Sequence, residues 1–291
     1  MKSEMIMPRV LALACCKDRR EMTLSSLSDL SCQQGRNKTF SLSVFLVDDA
    51  SSDDTSRAVA THHPDVTVIP GNGSLYWAGG MRYGWETTLS KHKFDYLFVF
   101  NDDIRLYSFA LSHLLEVARE FPNEDQPFAV VGTVVDPQTG IPSYGGRKRS
   151  SRLHPLKFAH LIVPNDEVQQ ADVFNMNAAL ISRSALESIG FLSPYFVHSG
   201  ADFEFGLRLR KSGGVILVAP GVVGTCKPNP ITDARQPLLG SISERLRYLL
   251  DPKREPPKQR WEMYRHHGGP FWFLLFLIPY ISIWFPRWHN R

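Results

Sequence analysis

Short apolar runs alternate with stretches of helical periodicity through the first hundred residues of the chain. Val10–Cys16, Ser43–Val47, Val66–Pro70 and Tyr96–Asn101 are rich in Val, Leu and Phe and read as buried strands. Between them, Arg20–Ser31, Thr55–His62 and Met81–Lys91 carry helical character. Strand and helix alternating in this way predict an α/β fold with a mostly parallel central sheet flanked by helices on both faces. Ligands of such sheets bind beyond the carboxyl ends of the strands.

The middle of the chain is less regular. Val130–Val135, Phe174–Ser182 and Val215–Ala219 read as strands; Ser184–Ile189 and Asp202–Ser212 read as helices stopped by Gly190 and by Gly213-Gly214. The segment Gly145–Lys157 holds Arg147, Lys148, Arg149, Arg152 and Lys157 without an acid, as an exposed basic loop would.

Two apolar strands deliver acids to a loop. Asp48 and Asp49 follow Val47, and Asp102 and Asp103 follow Asn101. Capping of the next helix accounts for Asp53 and Asp54. For the pairs themselves, hydrogen bonding to a base or ribose and ligation of Mg²⁺ or Mn²⁺ are the functional readings, because carboxylates are hard oxygen ligands. Between them, Gly71-Asn72-Gly73-Ser74-Leu75-Tyr76-Trp77-Ala78-Gly79-Gly80-Met81-Arg82 permits close backbone approach and leads into a helix N-terminus suited to phosphate. It matches neither the dinucleotide nor the P-loop fingerprint. Asp202 stands at the start of a helix, as an N-cap or as a general base. Glu204 and Arg208 are spaced to pair along that helix.

Length and composition narrow the classes. The 291 residues, 43% hydrophobic and 21% charged, exclude a disordered chain, and a mean hydropathy of −0.19 excludes a polytopic membrane protein. Four cysteines without a C-x-x-C fit a reducing, cytoplasmic setting. The apolar run Val10–Cys16 lacks the cleavage site of a signal peptide. The net charge of +4 is too mild to argue for nucleic acid, and it is unevenly placed. Residues 241–291 hold nine Lys/Arg against four Asp/Glu, which leaves residues 1–240 near neutral. Within this tail, Pro270–Phe285 carries no charge, is broken by Pro279, and is flanked by Arg265, Arg287 and Arg291. As a helix it is about 24 Å long, short of the roughly 30 Å hydrocarbon core. Its Trp and Tyr residues suit a membrane interface, on the cytoplasmic face; a core-packed or oligomer-forming tail and a true span are the alternatives. The chain thus divides into a domain over 1–240 and a basic, Trp-rich tail over 241–291.

The segment Cys15–Leu24, the Val-Asp-Asp loop, Gly-Asn-Gly-Ser-Leu-Tyr-Trp-Ala-Gly-Gly-Met, Asn-Asp-Asp-Ile and Ala-Asp-Phe-Glu-Phe-Gly-Leu-Arg, in this order, resemble family 2 glycosyltransferases, of the rhamnosyltransferase-like type of bacterial polysaccharide synthesis, over residues 8–230. The resemblance implies a GT-A fold, a nucleotide-sugar donor, a divalent cation, and inverting transfer to a hydroxyl on a polysaccharide or lipid-linked saccharide. It implies that Asp49 contacts the nucleotide base with Arg19 nearby, that Asp103 holds the metal with Asp102 beside it, and that Asp202 is the base. Asn72, Gly79, Gly80 and Arg82 fall in the implied nucleotide-sugar pocket. Asp18 and Arg82 replace residues that are Asn in many members, and Gly224-Thr225-Cys226-Lys227 stands where several relatives carry a metal-binding His. A sugar-phosphate nucleotidyltransferase and a non-catalytic nucleotide-sugar-binding protein are the other classes the sequence admits.

Overall fold

The computed structural model describes residues 7–282 apart from 88, 122, 124–125 and 230–240, together with Trp284. The 240/241 boundary and the flanking Arg287, Trp288 and Arg291 therefore fall at or outside the edge of the described residues.

The first hundred residues form β1 (Arg9–Cys16), α1 (Arg20–Ser31), β2 (Ser41–Asp48), α2 (Thr55–His62), β3 (Val66–Pro70), α3 (Tyr76–Thr87) and β4 (Tyr96–Phe100). These four strands pair in parallel in the order β3-β2-β1-β4. Past β4 the sheet continues with β13 (Ala178–Ser182), which runs antiparallel to both β4 and β6 (Phe128–Val131). It ends with β14 (Val215–Val218), parallel to β6, and β11 (Gln169–Gln170), antiparallel to β14. The eight-stranded sheet is therefore mixed α/β and mostly parallel.

Alternation along β1 divides the core. Leu11, Leu13 and Cys15 face one apolar cluster and Val10, Ala12, Ala14 and Cys16 face the other, as the two-residue period of a strand requires. Leu27 and Leu30 of α1, Val59 of α2 and Leu111 and Leu114 of α4 (Ala110–Glu120) cover the second face. Met81 of α3, Leu186 of α5 (Arg183–Ile189), and Phe205 and Leu209 of α6 (Ala201–Lys211) cover the first.

Two small sheets extend this frame at the carboxyl end. One contains β5 (Arg105–Leu106), β7 (Val134–Val135), β8 (Pro142–Tyr144) and β15 (Gly224–Thr225); the other contains β9 (Gly146–Lys148), β10 (His160–Leu161) and β12 (Val173–Phe174). Two of the expected strands are thus split. The run Val130–Val135 breaks at Gly132, where a Cβ would collide with Val223, and the run Phe174–Ser182 breaks at Asn175-Met176-Asn177. The basic segment forms β9 in part and is a loop only beyond Lys148.

The tail is helical: α7 (Ile242–Leu250), α8 (Pro257–His267) and α9 (Trp272–Ser282). Ser241 opens α7 with a capping box to Glu244. Met263 and Tyr264 of α8 lie buried in the core cluster of α6, so the segment after 241 is packed onto the body of the protein. Pro279 sits inside α9, which runs through it to Ser282. Among the described residues no helix is long and apolar enough to cross a membrane.

Candidate functional site

The strand order turns back between β1 and β4, and the loops leaving these two strands open a cleft of about 850 Å³. Arg19, Asp49, Asp102, Asp103 and Asp202, from four separate parts of the chain, line it together. Asn72, Gly79, Gly80 and Arg82 do not.

The loop after β1 is held against the loop after β2. Asp18, with φ of 51°, accepts from the amide and hydroxyl of Ser52 at 2.6 and 2.9 Å, and its own amide donates to Ser51 Oγ at 2.9 Å. A residue other than glycine at such a φ needs side-chain support of this kind. Asp18 therefore spends its charge on the loop. Arg19 follows and points its guanidinium at the second acidic pair: Nη1 lies 3.1 Å from Asp102 Oδ1 and 3.0 Å from Asp103 Oδ2.

The first acidic pair is built into the frame more than sequence suggests. Asp48 accepts from the Ser51 amide at 3.0 Å and from the Ser56 hydroxyl. Asp49 accepts from the amides of Gly73 at 2.7 Å and Leu75 at 2.9 Å, one on each oxygen. Both carboxylates thus have structural partners. An ionised carboxylate offers about four acceptor sites, so Asp49 keeps capacity for a ligand in the cleft it lines.

The glycines after β3 have a different place from the one expected. Helix α3 begins at Tyr76, five residues earlier than Met81, so Gly79 and Gly80 lie inside it. The amides of Ala78 and Gly79 donate to the carbonyl of Val197 at 3.0 and 3.3 Å, so protein fills that helix start. A Cβ on Gly80 would overlap Sγ of Cys15, and one on Gly84 would meet Val47 Cγ2 at 2.7 Å. These glycines let α3 approach β1 and β2 closely. Asn72 accepts from the amide and hydroxyl of Ser74 in a local turn. Arg82 donates to the carbonyls of Ser193 at 3.0 Å and Phe196 at 3.1 Å, and burial lowers its pKa.

Asp102 is the buried member of the second pair and Asp103 the open one, with side chains 7% and 26% exposed. Burial pushes the Asp102 carboxyl up to about 6, against the pull of Arg19. Cys226 Sγ stands 3.6 Å from Asp103 Oδ1, and burial and that acid push its thiol up to about 12. The position after β15 thus does reach the second acidic pair, with sulfur as its nearest donor.

Asp202 opens α6 after Gly200, whose φ is 79°. Its Oδ1 accepts from the Phe203 amide at 2.9 Å and its Oδ2 from Asn175 Nδ2 at 3.1 Å. Arg147 Nε in turn donates to Asn175 Oδ1 at 3.3 Å, which fixes which way the Asn175 amide faces. Burial raises the Asp202 pKa, while these two donors and the Arg147 charge pull the other way.

Asn175, Asn177 and Lys253 also line the cleft and escaped the sequence reading; Trp77 and His198 line it too, from segments in which sequence assigned neither a role of its own. Trp77 Nε1 donates to Asn101 Oδ1 at 3.1 Å. His198 has a buried Nδ1 without a hydrogen-bond partner among the described residues, and burial, then Lys253 and Arg19, lower its pKa. Two asparagines interrupting an apolar run were the available signal for Asn175 and Asn177. Lys253 had none, because it lies in the tail; Ser199 Oγ donates to its carbonyl at 2.5 Å.

No family model matches the sequence, and no curated protein matches it. The fold is similar to that of a solved structure, mannosyltransferase PcManGT from Pyrobaculum calidifontis in complex with GDP-Man and Mn²⁺. The likeness covers 97% of this chain and 74% of that one, with a TM-score of 0.56 and 16% identity. At that identity it shows a shared α/β fold.

Proposed function

We propose that this chain is a glycosyltransferase that moves a sugar, with inversion, from a nucleotide-sugar donor to a hydroxyl of a polysaccharide or lipid-linked saccharide. The observation that carries the proposal is the gathering of Arg19, Asp49, Asp102, Asp103 and Asp202 in one cleft at the carboxyl ends of β1, β2 and β4. The likeness in fold to a mannosyltransferase bound to GDP-Man and Mn²⁺, and the order of the five GT-A motifs, support it.

In this reading Asp202 takes the proton from the acceptor hydroxyl as that oxygen bonds to the anomeric carbon, and the nucleoside diphosphate leaves from the opposite side. Asn175 and the Phe203 amide hold the carboxylate, and Arg147 holds Asn175. Asp49 and Arg19 form the nucleotide end of the cleft.

Two adjacent carboxylates, one of them accessible, fit the side of a Mg²⁺ or Mn²⁺ site that protein provides when substrate phosphates supply other ligands. Among the described residues no group of three or more His, Cys, Asp or Glu is arranged to hold a metal by itself. Asp103 and Asp102 would hold the cation, which would stabilise charge on the departing diphosphate.

A thermal-shift panel of nucleoside diphosphates and nucleotide sugars, with and without Mn²⁺, tests the reading, because a ligand of the folded state raises its stability by mass action. Stabilisation by one nucleotide family is the expected result. A flat response to all of them overturns it, and release of pyrophosphate from a nucleoside triphosphate and a sugar phosphate replaces it with nucleotidyl transfer.

A further inference from the structure

Two features far apart in sequence lie side by side. The basic loop after β9 packs on the tail: the His154 ring stands edge-on to Tyr264 of α8, 6.2 Å between centroids, and Pro155 lies against Gly269 at the turn into α9. Lys148, Arg149, Arg152 and Lys157 are exposed, and none of them makes an ion pair among the described residues. Leu153, amid these cations, is 94% exposed.

Helix α9 is apolar on every side, yet its faces differ in what they touch. Trp272, Leu275 and Phe276 pack inward, with Trp261 of α8 edge-on to Trp272 at 4.9 Å and to Phe276 at 5.3 Å. Leu274, Ile278 and Ile281, at the i, i+4, i+7 spacing of one stripe, are 62%, 42% and 50% exposed. An exposed apolar stripe of this kind marks an interaction surface.

We infer that the exposed stripe of α9 and the basic loop 148–157 together form one docking surface for a bilayer carrying anionic headgroups. Three observations select this occupant. The cations sit on a loop that packs on α8 and on the turn into α9, make no ion pair among the described residues, and complement anionic lipid. Among the described residues α9 has eleven residues, too few to span, and suits a helix lying in the interface. A second copy seated symmetrically on this face would bring the same cations near one another, which opposes association.

The surface also shares its support with the cleft. In the first turn of α8, Gln259 Nε2 donates to the Ser199 carbonyl at 2.5 Å, and two residues on Trp261 holds α9. Ser199 lines the cleft three residues before Asp202. The acceptor is accordingly a saccharide carried on a lipid of that bilayer, a step that rests on the sugar-transfer reading, whereas the docking surface does not.

Co-sedimentation of the full chain with vesicles of phosphatidylcholine, alone or mixed with phosphatidylglycerol, tests the surface. The mixed vesicles should retain the protein and lose it at high salt. Arg149→Ala and Arg152→Ala should each weaken binding about fivefold on mixed vesicles only. Leu274→Asp with Ile278→Asp should weaken it about tenfold or more on both kinds. The nucleotide-induced thermal shift should be retained in all of these variants, which separates loss of the surface from loss of the fold or of donor binding. Equal binding to both vesicle types, no binding to either, or a dimer in solution that the α9 pair dissolves would overturn the inference. Vesicle binding without any nucleotide response would leave the surface standing and remove the lipid-linked acceptor.

Discussion

Arg19 and Asp103 are 84 residues apart and meet across the cleft at 3.0 Å, with the same guanidinium nitrogen 3.1 Å from Asp102. One cation of the protein thus stands at the acids proposed to take a divalent cation. Two cations at that place repel, so bound metal and this Arg19 position exclude each other. Arg19 is half-exposed and opens a helix, which leaves it free to turn toward a diphosphate. Arg19→Gln should therefore bind Mn²⁺ more tightly than the parent when no nucleotide is present, by about fivefold for a partly exposed pair near 1 kcal/mol. It should bind nucleoside diphosphate more weakly. Titration of Mn²⁺ followed by electron paramagnetic resonance, with and without the nucleotide, measures both. Unchanged Mn²⁺ affinity in the variant would mean the pair is incidental.

Asp202 should set the acid limb of activity. Burial raises its pKa above the ordinary carboxylate value of about 3.9, and only the ionised form can accept a proton. The rate should therefore fall as pH drops through that raised value. Removing the Asn175 amide removes a donor that favours the ionised form, so Asn175→Ala should move the acid limb to higher pH. Asp202→Asn should lower turnover about 10²- to 10⁴-fold with donor affinity nearly unchanged. A pH–rate profile of each variant checks these outcomes, and an acid limb that ignores Asn175 would take the base role from Asp202.

The strands and acids just described were legible in sequence for a simple reason. Parallel strands buried on both faces read as continuous apolar runs, and charge at their ends stands out against them. What packs at a distance did not show. Gly79 and Gly80 looked like a loop because glycine disfavours helix; the closeness of α3 to Cys15 explains Gly80 inside one, and nothing in the structure requires glycine at Gly79. Asp48 looked free because its partner, Ser56, sits in the next helix. The exposed stripe of α9 was hidden in a uniformly apolar run, where periodicity carries no signal and contacts alone separate Leu274 from Leu275.

Gly80 gives a direct test of that close packing. Gly80→Ala places a methyl on Cys15 Sγ, and overpacking of this kind costs about 1–3 kcal/mol. Because Cys15 lies on the strand leading to Lys17 and Arg19, the substitution should also weaken nucleotide binding. Cys15→Ala removes the sulfur, so the double variant should recover part of the loss. Urea unfolding of the two single variants and the double variant measures the coupling, and additive losses would show that α3 can shift to make room.

The pair Glu204–Arg208 is more than a helix-surface pair. Arg208 Nε lies 2.7 and 2.9 Å from the two oxygens of buried Glu204, and its other nitrogens donate to the carbonyls of Ile189 and Phe191. His267 Nε2 approaches the same carboxylate at 3.7 Å, so α6, the end of α5 and the end of α8 converge on one acid. Arg208→Met keeps the stem and removes the charge and its donors, leaving the buried Glu204 carboxylate without its two shortest hydrogen bonds. Loss of one partner of a buried pair costs about 3–5 kcal/mol, and the partial exposure of Arg208 places the cost at the low end. Arg208→Met with Glu204→Gln should regain part of that stability, since no charge is then stranded. Thermal and urea unfolding of the single and double variants decide it. A single variant as stable as the parent would mean that solvent, rather than Arg208, carries the Glu204 charge.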